Sequence, residues 1–120
     1  MADTKVSVEV LRNLEPLSSL SDVRMKELAD LCYLESVGRN LDPFRLRSIA
    51  GQSVYLVRGE LAFAYSHGSS EVIVGGSAEA RYPVGKRRAL ISARAVTDVR
   101  LIRIDDDLLD IMLTWDQLAS

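Results

Sequence analysis

Residues 75–95 read Gly-Gly-Ser-Ala-Glu-Ala-Arg-Tyr-Pro-Val-Gly-Lys-Arg-Arg-Ala-Leu-Ile-Ser-Ala-Arg-Ala. An apolar run precedes them at residues 72–74, and a strand-like run follows at residues 96–104. Two glycines, a short polar segment and a basic cluster between two strand patterns predict a loop that interrupts a sheet. Backbone amides at Gly75 and Gly76, with cations nearby, predict an anion site such as a phosphate site. The alternative is a solvated surface loop with scattered charges.

Length and composition predict one globular domain over residues 1–120. The chain has 120 residues, of which 48% are apolar and 27% are charged, and its formal net charge is −2. A nucleic-acid surface would need a clear basic excess, so no direct nucleic-acid binding is expected. The absence of a long apolar run or a signal-peptide core predicts a cytoplasmic protein without membrane contact.

The chemistry-bearing residues are too few for most catalytic sites. The single cysteine, Cys32, cannot form an internal disulfide, and its position among helical apolar residues predicts a small core residue. The single histidine, His67, has no second histidine for a metal site or a triad. We therefore expect no enzyme and no cofactor.

Helical patterns occur at both ends of the chain. Residues 1–5 are expected to be a loose terminus; Ser7 and Ser21 are then expected to cap two short helices, the first ended by Pro16. Aspartates at residues 105–107 predict the start of a closing helix. The apolar residues expected to form the buried stripe of this closing helix are Leu108, Ile111, Met112 and Trp115.

Between the helices, the sequence alternates with a period of two. It predicts about seven short strands, at residues 33–37, 41–47, 53–57, 60–65, 71–74, 91–95 and 99–104. The run 41–47 contains Pro43, which predicts an edge or irregular strand. The run 53–57 is apolar on both faces, which predicts a strand in the middle of a sheet. The fold class predicted is mainly β with flanking helices (α+β), an antiparallel β-roll or jelly roll with two N-terminal helices and a C-terminal helix.

In this order the segments resemble the cyclic-nucleotide-binding domain family. The segments that carry the resemblance are Leu14-Glu15-Pro16-Leu17-Ser18-Ser19-Leu20-Ser21-Asp22 with Lys26-Glu27-Leu28-Ala29, Ser53-Val54-Tyr55-Leu56-Val57-Arg58-Gly59-Glu60-Leu61, Ala95-Val96-Thr97-Asp98-Val99-Arg100-Leu101-Ile102-Arg103-Ile104 and Asp107-Leu108-Leu109. The resemblance covers nearly the whole chain. It implies a β-roll, a regulatory role, cyclic AMP or cyclic GMP as the ligand, and a covalently attached effector domain in a longer parent protein.

The ligand loop of that family would fall within residues 75–95. The family carries Phe-Gly-Glu, whose glutamate binds the ribose, and Pro-Arg-x-Ala, whose arginine pairs with the cyclic phosphate. This chain lacks Phe-Gly-Glu, and counting back from Ala95 places Ala89 where the arginine is expected. The candidate ligand-binding residues implied are Gly75, Gly76, Glu79, Arg87, Arg88 and Ser92. Loss of the usual phosphate pairing commonly costs about 2–5 kcal/mol, so binding is expected to be weak.

Two functions follow. The first is a regulatory or sensor module that binds a cyclic nucleotide or a related phosphate ligand weakly. The alternative is a ligand-free structural, dimerisation or docking module of a larger signalling protein. The C-terminal helix would form the homodimer or docking surface, because Leu113, Trp115 and Leu118 extend its apolar character beyond one stripe.

Overall fold

Two antiparallel sheets form the body of the protein. The computed structural model describes residues 4–46 and 50–119. The strands in these residues are β1 (Thr4–Lys5), β2 (Tyr33–Val37), β3 (Gln52–Arg58), β4 (Glu60–Tyr65), β5 (Ser70–Val74), β6 (Leu90–Ala95) and β7 (Val99–Asp105). One sheet has the order β1-β2-β7-β3 and the other the order β5-β4-β6.

Short helices flank the sheets. The α-helices are α1 (Val8–Arg12), α2 (Asp22–Leu31), α3 (Pro43–Leu46) and α4 (Asp106–Ala119), and 3-10 turns occur at Leu17–Ser19 and Glu79–Arg81. Ser7 and Ser21 cap α1 and α2, as predicted, because each hydroxyl accepts a hydrogen bond from a backbone N–H of the first turn. Asp105 does the same for α4: its carboxylate accepts from the Asp107 and Leu108 amides. None of the described helices is both long and apolar enough to cross a membrane.

The core has two parts, one on each side of the four-stranded sheet. Buried residues of α1 and α2 pack on one face of that sheet, against Tyr55 and Ile102. The opposite face packs against the three-stranded sheet, with Leu56 and Leu101 meeting Leu61 and Phe63. A sheet pair with apolar residues facing inward and helices outside is the predicted α+β β-roll, which is confirmed. Cys32 is buried as predicted, and its burial raises the pKa of the thiol to about 11.

Two predictions were wrong, that of a strand at residues 41–47 and that of a loose N-terminus. The run predicted as a strand at 41–47 contains the single helical turn α3, because Asp42 accepts a hydrogen bond from the Phe44 amide and Pro43 occupies the first helical position. Arg47 lies outside the described residues. Residues 1–5 were expected to be loose, but Thr4 and Lys5 pair with Leu34 and Tyr33. Residues 1–3 lie outside the described residues.

The third strand, β3, is buried as predicted but lies at a sheet edge. Among the described strands it pairs only with β7. Its outer edge is covered by the loop between β5 and β6, since the Val84 N–H donates to the Val54 carbonyl at 2.8 Å. A covered edge cannot pair with another chain. The apolar pattern that suggested a central position comes from packing on both faces of β3, with Tyr55 against the helices and Leu56 against the other sheet.

The stripe predicted for the closing helix is displaced. Leu109 and Met112 face the core, whereas Ile111 and Trp115 are 46% and 52% exposed. The Asp116 carboxylate fixes this rotation of α4, because it accepts hydrogen bonds from the amide and the hydroxyl of Ser21 at 2.6 and 2.9 Å. Part of the apolar surface of α4 therefore faces solvent.

Candidate ligand site

A cavity of about 420 Å³ lies between the β4–β5 hairpin and the loop that follows it. Phe63, Ile73 and Val84 form apolar parts of its wall. The polar side chains around it are Tyr65, Glu71, Glu79, Tyr82, Lys86 and Arg87. The volume is within the range of small-molecule sites, and an apolar wall with a few polar groups is their usual composition. We call it the ligand cavity.

Strand register and one glycine set the shape of the ligand cavity. Glu71 lies opposite Phe63 in the antiparallel pair, so its side chain is on the inward face of β5. Gly85 has a φ of +83°, and a Cβ at this position would come within 2.6 Å of the Phe44 ring. Phe44 in turn stacks on Phe63 with ring centroids 6.1 Å apart. The close approach of Gly85 and Phe44 therefore fixes the loop immediately before Arg87.

Arg87 is already partnered within the ligand cavity. Its Nη1 is 3.7 Å from Glu71 Oε2, and its guanidinium lies 5.5 Å from the centroid of the Tyr65 ring. The Tyr65 hydroxyl donates to Glu71 Oε1 at 2.8 Å. Burial, followed by the bond to Glu71, raises the pKa of Tyr65. A ligand anion that approaches Arg87 therefore competes with the Glu71 carboxylate.

Glu79 is the second predicted residue in the ligand cavity. It begins the 3-10 turn Glu79–Arg81, where its side chain is exposed. Within the described part of the chain, its carboxylate accepts no hydrogen bond and forms no ion pair. The structure thus brings Glu79 and Arg87 to one cavity and leaves the carboxylate of Glu79 available as an acceptor.

The other four predicted residues do not line the ligand cavity. The Gly75 amide donates to the Gly59 carbonyl at 2.8 Å, so it is not free to hold an anion, contrary to expectation. Gly75 lacks room for a side chain, because a Cβ would lie 2.6 Å from the Arg58 backbone. Gly76 lines a groove on the other side of the loop, and Ser92 lines a shallow groove beside Arg94. Arg88 is exposed outside the cavity lining.

Lys86 connects the ligand cavity to the start of α4. Its Nζ donates to Asp106 Oδ2 at 3.1 Å and to Ser53 Oγ at 3.3 Å. The Ser53 hydroxyl donates to Asp106 Oδ1 at 2.5 Å. The bond from Ser53 is the largest cause that lowers the pKa of Asp106; burial opposes it, and Lys86 lowers the pKa further. Since Asp106 is the first residue of α4, a displacement of Lys86 acts directly on that helix.

Sequence reasoning missed four polar members of the cavity, Tyr65, Glu71, Tyr82 and Lys86. A signal existed for Glu71. Once Leu61, Phe63 and Tyr65 are assigned to one face of a hairpin, Glu71 and Ile73 on the returning strand face the same way. A glutamate on an inward face indicates a ligand site or a charged partner. Glu71 has both, because it lines the ligand cavity and pairs with Arg87.

Known structures share this architecture. A protein from Geobacter metallireducens named as a cyclic nucleotide-binding protein is 25% identical, with 94% of this chain and 86% of that chain covered and a TM-score of 0.64. The sensor domain of the transcriptional regulator DNR from Pseudomonas aeruginosa is 18% identical over 90% of this chain and 80% of that chain, with a TM-score of 0.67. The regulatory domain of Toxoplasma gondii PKA, crystallised with cAMP, is 16% identical over 88% of this chain and 42% of that chain, with a TM-score of 0.63.

Sequence comparisons gave no match: no family model fits the chain, and no curated protein resembles it closely enough to count as a relative. The structural likeness nevertheless spans nearly the whole chain, and it agrees with the two-sheet roll, the N-terminal helices and the closing helix. The chain has the fold of the cyclic-nucleotide-binding domains.

Proposed function

We propose that the chain is a regulatory module that binds a cyclic nucleotide, or a related phosphate ligand, weakly in the ligand cavity. The observation that carries the proposal is that Arg87 and Glu79 lie at one cavity of about 420 Å³. A guanidinium is the preferred protein partner of a phosphate, and a carboxylate accepts hydrogen bonds from sugar hydroxyls. The exposed ring of Tyr82 offers a surface on which a base can stack.

The expected affinity is low because the phosphate must displace Glu71. An exposed ion pair contributes about 0–1 kcal/mol, so breaking the contact between Arg87 and Glu71 is not itself a large cost. The displaced Glu71 carboxylate, however, stays near the incoming phosphate and repels it. The Gly75 amide does not compensate, because it is bonded to Gly59. Binding in the millimolar range is consistent with this balance.

Lys86 is the residue that would transmit ligand binding from the cavity to α4. Lys86 precedes the phosphate-facing Arg87 in the chain and is bonded to Asp106, where α4 begins. A phosphate that draws the loop toward itself increases the distance between Lys86 Nζ and the Asp106 carboxylate. The conformation of the N-terminus of α4 changes as a result. An effector attached beyond α4 would receive this change.

The test is a titration of the chain with cyclic AMP and then cyclic GMP, followed by two-dimensional amide NMR. We expect saturable shifts at Glu71, Glu79, Arg87 and Asp106 at millimolar ligand. The variant R87M should lose these shifts. Its matched control is R88M, which removes the same charge one residue away and outside the cavity. An unchanged wild-type spectrum, or an equal loss in R88M, would overturn the proposal.

One surface favours a second candidate function, self-association through α4. Ile111, Trp115 and Leu118 lie at i, i+4 and i+7 on one face of the helix, and all three are exposed. Exposed apolar residues that cluster on one face of a helix are typical of interaction surfaces. Arg24 covers part of the Trp115 ring at 5.2 Å but leaves half of the side chain open.

Analytical ultracentrifugation at high protein concentration tests this second function. We expect a dimer that the double variant W115S/L118S converts to a monomer. The matched control is V72S, which removes an exposed apolar side chain from β5, far along the chain from α4. A wild-type monomer at the highest soluble concentration would contradict self-association.

A further inference from the structure

A second groove, of about 430 Å³, lies on the opposite side of the loop from the ligand cavity. It is bounded by α1, by the outer edge of β3 and by the 3-10 turn Glu79–Arg81. Its apolar side chains are those of Val10, Leu14, Leu56, Val57 and Ala80, and its polar side chains are those of Asn13, Ser77 and Arg81. We call it the α1 groove. Its size and its mostly apolar lining match those of small-molecule sites.

The walls of the α1 groove are tied together by hydrogen bonds. Arg81 Nε donates to the Asn13 carbonyl at 3.2 Å, and Arg81 Nη2 lies 3.0 Å from Glu15 Oε1. The Glu15 amide donates to the Arg81 carbonyl at 2.7 Å. These three bonds hold the end of α1 against the loop. A groove whose walls are already fixed loses little freedom when a ligand enters it.

The same bonds determine the charge of a suitable ligand. The guanidinium of Arg81 is paired with the Glu15 carboxylate, so the α1 groove carries no uncompensated charge from this pair. The Asn13 carboxamide nitrogen donates to the Glu9 carbonyl, which leaves its oxygen as an acceptor. The Ser77 hydroxyl oxygen accepts from the Ala80 amide, which leaves its hydrogen as a donor.

From this arrangement we propose that the α1 groove binds a small, neutral, mainly apolar molecule that carries one hydrogen-bonding group. The apolar body would lie against Val10, Leu14 and Val57. The hydrogen-bonding group would meet Asn13 or Ser77. This site is separate from the phosphate site of the proposed function and takes a ligand of different chemistry.

The α1 groove and the ligand cavity share one wall. Ala80 and Arg81 line the α1 groove, whereas Glu79 of the same 3-10 turn lines the ligand cavity. A molecule in the α1 groove therefore lies against the turn that carries Glu79. Any coupling between the two ligands through this turn would be reciprocal.

Indole is a suitable probe, because it is neutral, apolar and carries one N–H donor. We expect indole to cause saturable amide shifts at Val10, Asn13, Ser77 and Ala80 in the whole chain. Benzoate, of similar size but negatively charged, should bind more weakly. Absence of saturable shifts up to the solubility limit of indole, or tighter binding of benzoate, would overturn the proposal.

Two variants locate the site. V10W fills the α1 groove from α1, and S77L fills it from the loop; each should weaken indole binding at least tenfold. V23W is the control, since Val23 is exposed on α2 and does not line the groove. Equal binding by folded V10W and S77L would overturn the proposal. R87M should bind indole as the wild type does, because Arg87 does not line the α1 groove. Loss of cyclic-nucleotide binding and loss of indole binding can therefore be distinguished.

Discussion

The β-roll contains two arginine–glutamate pairs of the same chemistry that differ in the exposure of their side chains and in the distance between their charged atoms. Arg103 and Glu35 are 5% and 18% exposed, and Arg103 also donates to the Pro43 carbonyl at 2.9 Å. Arg87 and Glu71 are 69% and 38% exposed, and their closest charged atoms are 3.7 Å apart. Burial decides what each pair can do: a buried pair cannot exchange its partner without a large cost, whereas an exposed pair can. The first therefore has a structural role, and the second is available to a ligand.

The buried pair also supports the exposed one. Arg103 holds the carbonyl of Pro43, the first residue of α3, and the next residue, Phe44, packs on Gly85. Gly85 lies two residues before Arg87. The position of the exchangeable arginine therefore depends on packing that begins at the buried arginine.

The largest effect is expected from removing the buried arginine. R103M keeps most of the side-chain length but removes the guanidinium that pairs with the largely buried Glu35 carboxylate. Breaking a buried pair in this way costs about 3–5 kcal/mol. Urea unfolding measures the loss, with R87M as the exposed counterpart, for which we expect about 0–1 kcal/mol. Similar losses in the two variants would remove the distinction between the pairs.

Next in size is the packing that connects the pairs. Gly68 and Gly85 both have positive φ values, +89° and +83°, but only at Gly85 does a Cβ meet another residue, the Phe44 ring. G68A and G85A therefore share the backbone strain and differ in the clash. We expect G85A to be less stable than G68A by about 1–3 kcal/mol, the usual range for overpacking. Thermal unfolding of both variants is the measurement, and equal stability would show that Phe44 moves aside freely.

A third pair, Lys86 with Asp106, is intermediate in exposure and predicts a small effect of pH. Because the pKa of Asp106 is lowered in the folded protein, the contribution to stability is complete above the unfolded pKa, near 3.9, and is lost as the pH falls through the folded value. Carboxyl-carbon NMR should show Asp106 titrating below its ordinary pKa. S53A and K86M should each raise that pKa, since the hydrogen bond from Ser53 and the hydrogen bond and charge of Lys86 all lower it. An Asp106 pKa that is unchanged in both variants would contradict this assignment.

Much of the roll could be predicted, because its signals are local. Serine caps, period-two alternation and the aspartates before α4 depend on neighbouring residues alone. The turn α3 also had a local signal, Asp42 before Pro43, which is a cap followed by a favoured first helical residue. It was missed because the alternating pattern of residues 41–47 suggested a strand.

The site was less predictable, since it depends on contacts between distant residues. Arg87 and Glu79 could be proposed from the loop, but the partner of Arg87 is Glu71, on a strand before the loop. Arg103 shares a strand face with Val99 and Leu101, and this marks a charge on an apolar face without showing that Glu35 is its partner. The rotation of α4 is set by the bond between Asp116 and Ser21, 95 residues apart in sequence.

Our central proposal is that Arg87 exchanges its partner Glu71 for the phosphate of the ligand. Calorimetric titration of cyclic AMP into the wild type and E71Q tests it most directly, because E71Q removes the competing carboxylate and the repulsion. D30N, which removes one negative charge from exposed Asp30 of α2, is the control. We predict about two- to fivefold tighter binding by E71Q, corresponding to about 0.5–1 kcal/mol, and no change in D30N. Unchanged or weaker binding by E71Q would contradict the account.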